Sequence, residues 1–289
     1  MQIERQDAPD PSLRTELMRQ LDAHNTACTG EPSDGVSVSI LLRGPDGAVE
    51  GGLVGYTWYR WLVVEMLYLP PSLRGHGVGT QLMRSVETHA AQQGCYGIWL
   101  STLSFQAPQF YERLGFHCFG TLAGRPRRHA TMFMAKTALA ETSAGLPVEG
   151  RADPQDRAVI ARSLSDEVDL VAPGSPASLA FVIRNGDTVG GLWTTVSRGW
   201  MFLDLFVLPQ ALRRAGTGRR ILGMAEDAAR ELGCRGIWLD TFSFQARPFY
   251  ESLGYRVFGQ LDDYPPGHAR YFLSKHLDAA AALPDTIAR

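Results

Sequence analysis

Two loops of the form Arg-x-x-Gly-x-Gly stand 139 residues apart in a chain of 289: Arg74-Gly75-His76-Gly77-Val78-Gly79 and Arg213-Arg214-Ala215-Gly216-Thr217-Gly218. Each follows an apolar, strand-like run and opens a helix-like one. Backbone N–H groups and the positive end of the helix dipole would then point at one spot, where an anion, above all a diphosphate, is held without a side chain. The glycines let the main chain approach closely, Arg74 and Arg213 add charge, and Thr80 and Arg219 supply a further hydroxyl and cation. A single such loop reads equally well as a glycine turn, but its recurrence in register favours binding. Upstream of each loop one carboxylate interrupts an apolar run, Glu65 between Leu62 and Leu73 and Asp204 between Met201 and Phe206. An isolated carboxylate in a strand is either a chemical group or a solvated edge residue.

The same shift of 139 aligns Gly94 to Leu122 with Gly233 to Leu261, and 19 of those 29 pairs are identical. The unit is domain-sized, since solenoid repeats run roughly 20 to 50 residues. Turn signals and period-2 runs predict strands at 36–43, 51–58 and 61–69, a helix over 80–92, a short strand at 98–100, a helix over 107–114, and strands at 116–122 and 131–136. The second copy predicts the same order from 178 to 275. The expected organisation is therefore α+β with two tandem domains, 1–137 and 151–277. A linker rich in Ala, Gly, Ser and Pro spans 138–150, and a tail covers 278–289. Each domain should hold a mixed, mostly antiparallel twisted sheet flanked by helices.

A formal net charge of −2 argues against nucleic acid as a partner. Cys28, Cys95, Cys118 and Cys234 show no CxxC spacing, which suits reduced thiols of a cytoplasmic protein better than disulfides or a metal site. The N-terminus lacks the shape of a signal peptide, and no apolar run is long enough to span a membrane.

With its loop and the segments Ala107 to Phe116 and Ala246 to Tyr255, which fit Ala-x-x-Phe-Tyr-Glu-x-Leu-Gly-Phe/Tyr, each half resembles the GNAT superfamily of N-acetyltransferases. The resemblance implies acetyl-CoA as cofactor, its pyrophosphate on the amides of the loops. Its pantetheine arm would lie along Leu67 to Leu69 and Phe206 to Leu208. Ser104 and Ser243, where many members carry Asn, would also meet the arm. It implies transfer of acetyl to the primary amine of a small molecule, with a cationic amine or an aminated antibiotic as the candidate acceptors. An alkyl ammonium with pKa about 10.4 needs a base, a role the family often gives this strand, so Glu65 and Asp204 are the candidates. Tyr111 and Tyr250 occupy the position of its general acid. Direct transfer is expected because no Cys or Ser sits in a nucleophile motif. The alternatives are an acyl-CoA or amine binding module without turnover, or one catalytic half beside one structural half. The duplication suggests a monomer with an internal pseudo-dimer, or a homodimer.

The halves differ most before the last strand, where Gly124-Arg125-Pro126-Arg127-Arg128-His129 is cationic and Asp263-Tyr264-Pro265-Pro266-Gly267-His268 acidic. The first suits an anionic acceptor, a phosphate or a domain contact, and the second a cationic amine; a solvated surface loop is the other reading of both. His129 and His268 recur as a second base or as packed residues.

Overall fold

The computed structural model describes residues 2–32, 35–141, 145–185 and 188–277, so the expected tail lies outside the described residues. The chain begins with β1 (Ile3–Gln6) and α1 (Pro11–Thr29). It continues through β2 (Val36–Arg43), β3 (Val49–Trp58), β4 (Trp61–Tyr68), α2 (Val78–Gln92), β5 (Gly97–Leu103), α3 (Pro108–Arg113), β6 (His117–Ala123) and β7 (Ala130–Lys136). The second copy runs α4 (Pro154–Asp169), β8 (Ala177–Asn185), β9 (Thr188–Ser197), β10 (Trp200–Val207), α5 (Thr217–Glu231), β11 (Gly236–Phe242), α6 (Arg247–Glu251), β12 (Arg256–Asp262) and β13 (Ala269–His276). Alternation and turn residues anticipate the strands of both copies; β1, α1 and α4 are additions.

The strands form two sheets, ordered β2-β3-β4-β5-β7-β6 and β1-β8-β9-β10-β11-β13-β12. Pairing is antiparallel except between β4 and β5 and between β10 and β11, the strands joined across α2 and α5. On one face of the first sheet α2 buries Leu82, Met83, Val86 and Ala90 against Leu53, Leu62, Ile98 and Leu100. In the second, α5 buries Ile221, Leu222, Ala225 and Ala229 in the same way.

The opposite faces are covered crosswise. Helix α1, which precedes the first sheet in sequence, lies on the second, with Leu13 and Leu17 packed against Ala180, Val182, Trp193, Leu205 and Val207. Helix α4, which precedes the second sheet, lies on the first, with Ile160 packed against Val49 and Val54. Each fully buried aliphatic side chain contributes about 1.5–3 kcal/mol. Both helices start on the same cap: Asp10 accepts the Ser12 N–H and Asp153 the Gln155 N–H, each at 2.8 Å, with Pro11 or Pro154 next.

Helices α1 and α4 thus pack across the expected bounds of 1–137 and 151–277, each sheet taking a covering helix from the other side of the chain. The described residues of the expected linker, 138–141 and 145–150, are held against the first sheet. Leu139, Leu146 and Val148 pack on the first core. The Ala140 N–H donates to Glu87 (3.0 Å), the Leu146 N–H to Ser85 (2.7 Å), and Glu149 bridges Ser39 on β2. Apolar residues spaced within an otherwise flexible composition pin it.

The sheets meet through an aromatic core that includes Trp61, Phe133, Trp200, Tyr264 and Phe272. Its contacts are reciprocal: the Trp61 indole N–H donates to the Asp263 carbonyl (3.1 Å) and that of Trp200 to the Gly124 carbonyl (3.0 Å). A Cβ on Gly120 would stand 3.0 Å from the Phe258 carbonyl oxygen and one on Gly259 3.2 Å from that of Phe119, so glycine permits this approach of β6 to β12.

Candidate active sites

Parallel pairing of β4 with β5 ends at Val64 and Leu100, and that of β10 with β11 at Leu203 and Leu239, although all four strands continue. A cleft opens where each pair parts. At that point each of β4 and β10 carries a bulge against its antiparallel neighbour, and the extra residue is Glu65 or Asp204. A bulge re-aims the side chain it inserts, so a carboxylate in an apolar strand turns into the opening.

At the strand ends Arg74 Nε donates to the Leu69 carbonyl (2.8 Å) and Arg213 Nε to that of Leu208 (2.9 Å), fixing the chain before each loop. Gly77 and Gly216 cap α2 and α5 with φ of 82° and 76°, a conformation glycine adopts without strain. A Cβ on either would meet nothing within 4 Å, so the space before the helix is open. The first-turn amides of each helix, which have no intrahelical partner, face it.

The first cleft, of 780 Å³, is lined by Glu65, Leu67, Leu69, Arg74, Gly75, Gly77, Val78, Gly79, Thr80 and Tyr111 among others. The second, of 970 Å³, gathers Asp204, Phe206, Leu208, Arg213, Arg214, Gly216, Gly218, Arg219 and Tyr250. Five expected residues stay outside. His76 and Ala215 are exposed beside the loops, and Thr217 is buried. Ser104 and Ser243 use their hydroxyls to accept the N–H groups of Ala130 (3.0 Å) and Ala269 (3.2 Å), which ties the end of β5 or β11 to the next hairpin.

Tyr111 and Tyr250 are 9% and 8% exposed, each ringed edge-on by aromatic neighbours, and line their clefts. Burial pushes the Tyr111 phenol up to about 12, and burial with the Asp240 charge also raises Tyr250. Burial raises Cys95 and Cys234 to about 11, so neither is a thiolate at neutral pH.

Each bulge carboxylate meets an arginine from the exchanged helix. Arg14 of α1 contacts Asp204 Oδ2 through Nε (3.0 Å) and its terminal nitrogen (2.9 Å), and Arg157 of α4 contacts Glu65 Oε2 (3.0 Å). In both pairs the contact is to one of the two carboxylate oxygens. Burial raises the Asp204 pKa, Arg14 opposes that rise, and Asp240 adds to it. Helix α4 also pairs Glu167 with Arg74 of the loop. These helices wall the clefts with Leu164 and Val168 in one and Gln20, Leu21 and His24 in the other. Sequence reading missed these contributions; the repeated Asp-Pro-x-x-Arg start at Asp10 and Asp153 was the available signal.

The second cleft carries Asp240 where the first has Ser101. Asp240 accepts Arg270 at 2.8 Å and 2.7 Å, and Arg270 donates to the Tyr264 hydroxyl (3.0 Å). His129 and His268 stack edge-on against Phe105 and Phe244.

The Acetyltransferase (GNAT) family model matches residues 5–116, and an Acetyltransferase (GNAT) domain model matches residues 176–257. An acetyltransferase of Agrobacterium fabrum is 37% identical over 116 residues, 40% of this chain and 84% of that protein. A blasticidin-S acetyltransferase of Streptomyces morookaense is 41% identical over 95 residues, 32% of this chain and 70% of that protein. The crystal structure of an acetyltransferase from Agrobacterium tumefaciens is 33% identical and covers 47% of this chain and 98% of its own, with a TM-score of 0.44. No described helix is long and apolar enough to cross a membrane.

Proposed function

The chain belongs to the GNAT acetyltransferase family and is an N-acetyltransferase, and from that premise we propose that both clefts transfer acetyl directly from acetyl-CoA to the primary amine of a small, cationic molecule. The observation that carries this reading is the gathering, twice, of an open glycine loop, a bulge carboxylate and a buried tyrosine around strands that have parted. The parted strand edges suit an amide-bearing arm, and the loop amides suit a pyrophosphate. When bound, acetyl-CoA supplies the acyl group as a thioester.

The chain's own groups would do the rest. The carboxylate of Asp204 or Glu65 takes the proton of the incoming ammonium, directly or through a water, and leaves a nucleophilic amine. As the new C–N bond forms and the C–S bond breaks, the Tyr250 or Tyr111 hydroxyl gives its proton to the departing sulfur, the phenolate left behind regains a proton from the second N–H that the nitrogen sheds, and the carboxylate returns its own proton to solvent. A phenol held well above neutrality keeps its proton until a thiolate appears. An anionic oxygen at the cleft also favours a cationic acceptor, and the Streptomyces relative is named for acetylating a small molecule. The reciprocal contact of the sheets supports an internal pseudo-dimer in place of a partner chain.

The assay is free-thiol release from acetyl-CoA with blasticidin S, a diamine, an amino acid and an alcohol. Release with cationic amines and none with the alcohol is expected. Release with the alcohol alone, or with no acceptor on the panel, would overturn the reading.

The acid limb of the pH profile gives a second expected result. Arg14 opposes the rise that burial imposes on Asp204, so Arg14→Gln raises that pKa further. The carboxylate then deprotonates at higher pH. In a Tyr111→Phe background, which isolates the second cleft, the acid limb of kcat/KM should move up by about one pH unit. An unmoved limb would remove Asp204 as the base.

A further inference from the structure

Two equivalent corners lie where the sheets meet, and they are filled with opposite chemistry. One holds Tyr59, Tyr96 and Tyr264; Tyr264 is fully buried and stacks on Trp61 at 5.4 Å, and Tyr96 lies 5.6 Å from the same indole. The residues 139 positions away, Arg198, Arg235 and Arg125, make the other. All three tyrosines have arginine counterparts.

The arginines converge on the 124–125 peptide and the β9–β10 turn. Arg125 donates to Ser197 Oγ (3.2 Å) and Thr131 Oγ1 (3.1 Å) and lies 5.4 Å above the Trp238 ring. Arg198 follows Ser197 directly, and its charge bears on Arg125. Arg235 Nε and Cζ stand 3.5 Å and 3.6 Å from the position a Cβ would take on Gly124, and the Arg235 N–H donates to the Gly199 carbonyl at 2.8 Å. The Nε of each of the three is buried without a hydrogen-bond partner. Among the described residues no carboxylate forms an ion pair with any of them. Asp169 acts on Arg198 only at longer range, and its carboxylate accepts the Ser165 hydroxyl (3.4 Å).

Half-buried like charges with unsatisfied N–H groups are costly. The tyrosine corner demonstrates that the same backbone accepts a neutral filling, so the fold does not demand this arrangement. Guanidinium forks are suited to phosphate and carboxylate oxygens. We propose that this corner binds a small multivalent oxyanion, phosphate- or carboxylate-bearing, between Arg125, Arg198 and Arg235. The anion is either a free ligand or the anionic group of an acceptor reaching from the first cleft.

The test is thermal unfolding of the full chain in rising inorganic phosphate, against sodium chloride at matched ionic strength, with saturating CoA present to occupy the glycine loops. Phosphate should raise Tm to a plateau, by about 5 °C at roughly 100 times its dissociation constant. Arg198→Tyr and Arg235→Tyr, each installing the residue of the other corner, should abolish the rise, with Arg198→Gln as the variant of choice if tyrosine does not fold. Arg127→Gln and Arg128→Gln, in the same loop but exposed, should keep it. Competition between phosphate and a carboxylate-bearing amine at the first cleft would identify the anion as part of an acceptor; independence would identify a free ligand. An equal rise in chloride, a rise that survives the Arg198 and Arg235 substitutions, or one lost equally in the loop controls would overturn the proposal.

Discussion

The double variant Tyr111→Phe/Tyr250→Phe is expected to turn over about 10²- to 10⁴-fold more slowly than the parent, with little change in stability or in KM for the acyl donor. The two phenols line separate clefts and are held protonated by burial. Phenylalanine keeps the edge-on contacts with Phe110 and Phe116 or with Phe249 and Tyr255, so the loss isolates the hydroxyl. Each single variant should silence one cleft, and acceptors that distinguish the clefts would then name the active half for each. A double variant within twofold of the parent would remove the tyrosines as general acids.

The second large effect tests the crosswise helices. Leu17 is fully buried against Val182, Trp193 and Leu205 of the second sheet, so Leu17→Ala should cost about 2–5 kcal/mol. Hydrogen exchange should report the damage in β8, β9 and β10 and spare β2 to β4, although Leu17 precedes the first sheet in sequence. Turnover at the second cleft should fall with it, because α1 carries Arg14 to Asp204 and walls that cleft. Ile160→Ala should do the reverse, loosening β3 and the first cleft. Lost protection in β2 to β4 on Leu17→Ala would refute the exchange.

The β-meanders were legible because apolar alternation and turns such as Gly44-Pro45-Asp46-Gly47 mark a period of two. Helices α1 and α4 were not. Each buries few side chains, Leu13, Leu17 and Asn25 in one and Ile160 and Val168 in the other, so the apolar period is faint. Their equivalence is also displaced, since Asp10 and Asp153 stand 143 rather than 139 positions apart. The loops, bulge carboxylates and tyrosines could be read directly because their residue types are unusual where they stand. The bonds that Ser104 and Ser243 accept from the Ala130 and Ala269 N–H groups could not be read in advance, because residue type does not say which amide comes to lie beside a hydroxyl after a strand. The cationic loop of the first copy similarly allowed a domain contact, and Arg125 makes one through Ser197 and Trp238.

By itself the sequence determined the duplication and the family, and it marked the candidates to hold an anion or move a proton, since these follow from residue type and local order. The tertiary structure alone decided which helix covers which sheet, and therefore that each cleft is walled by both copies. Two copies of one sheet offer a helix nearly the same apolar face, so nothing local distinguishes covering one's own sheet from covering the other. Long-range packing makes that choice. It also sets three arginines against one another at a corner where the duplicate holds three tyrosines.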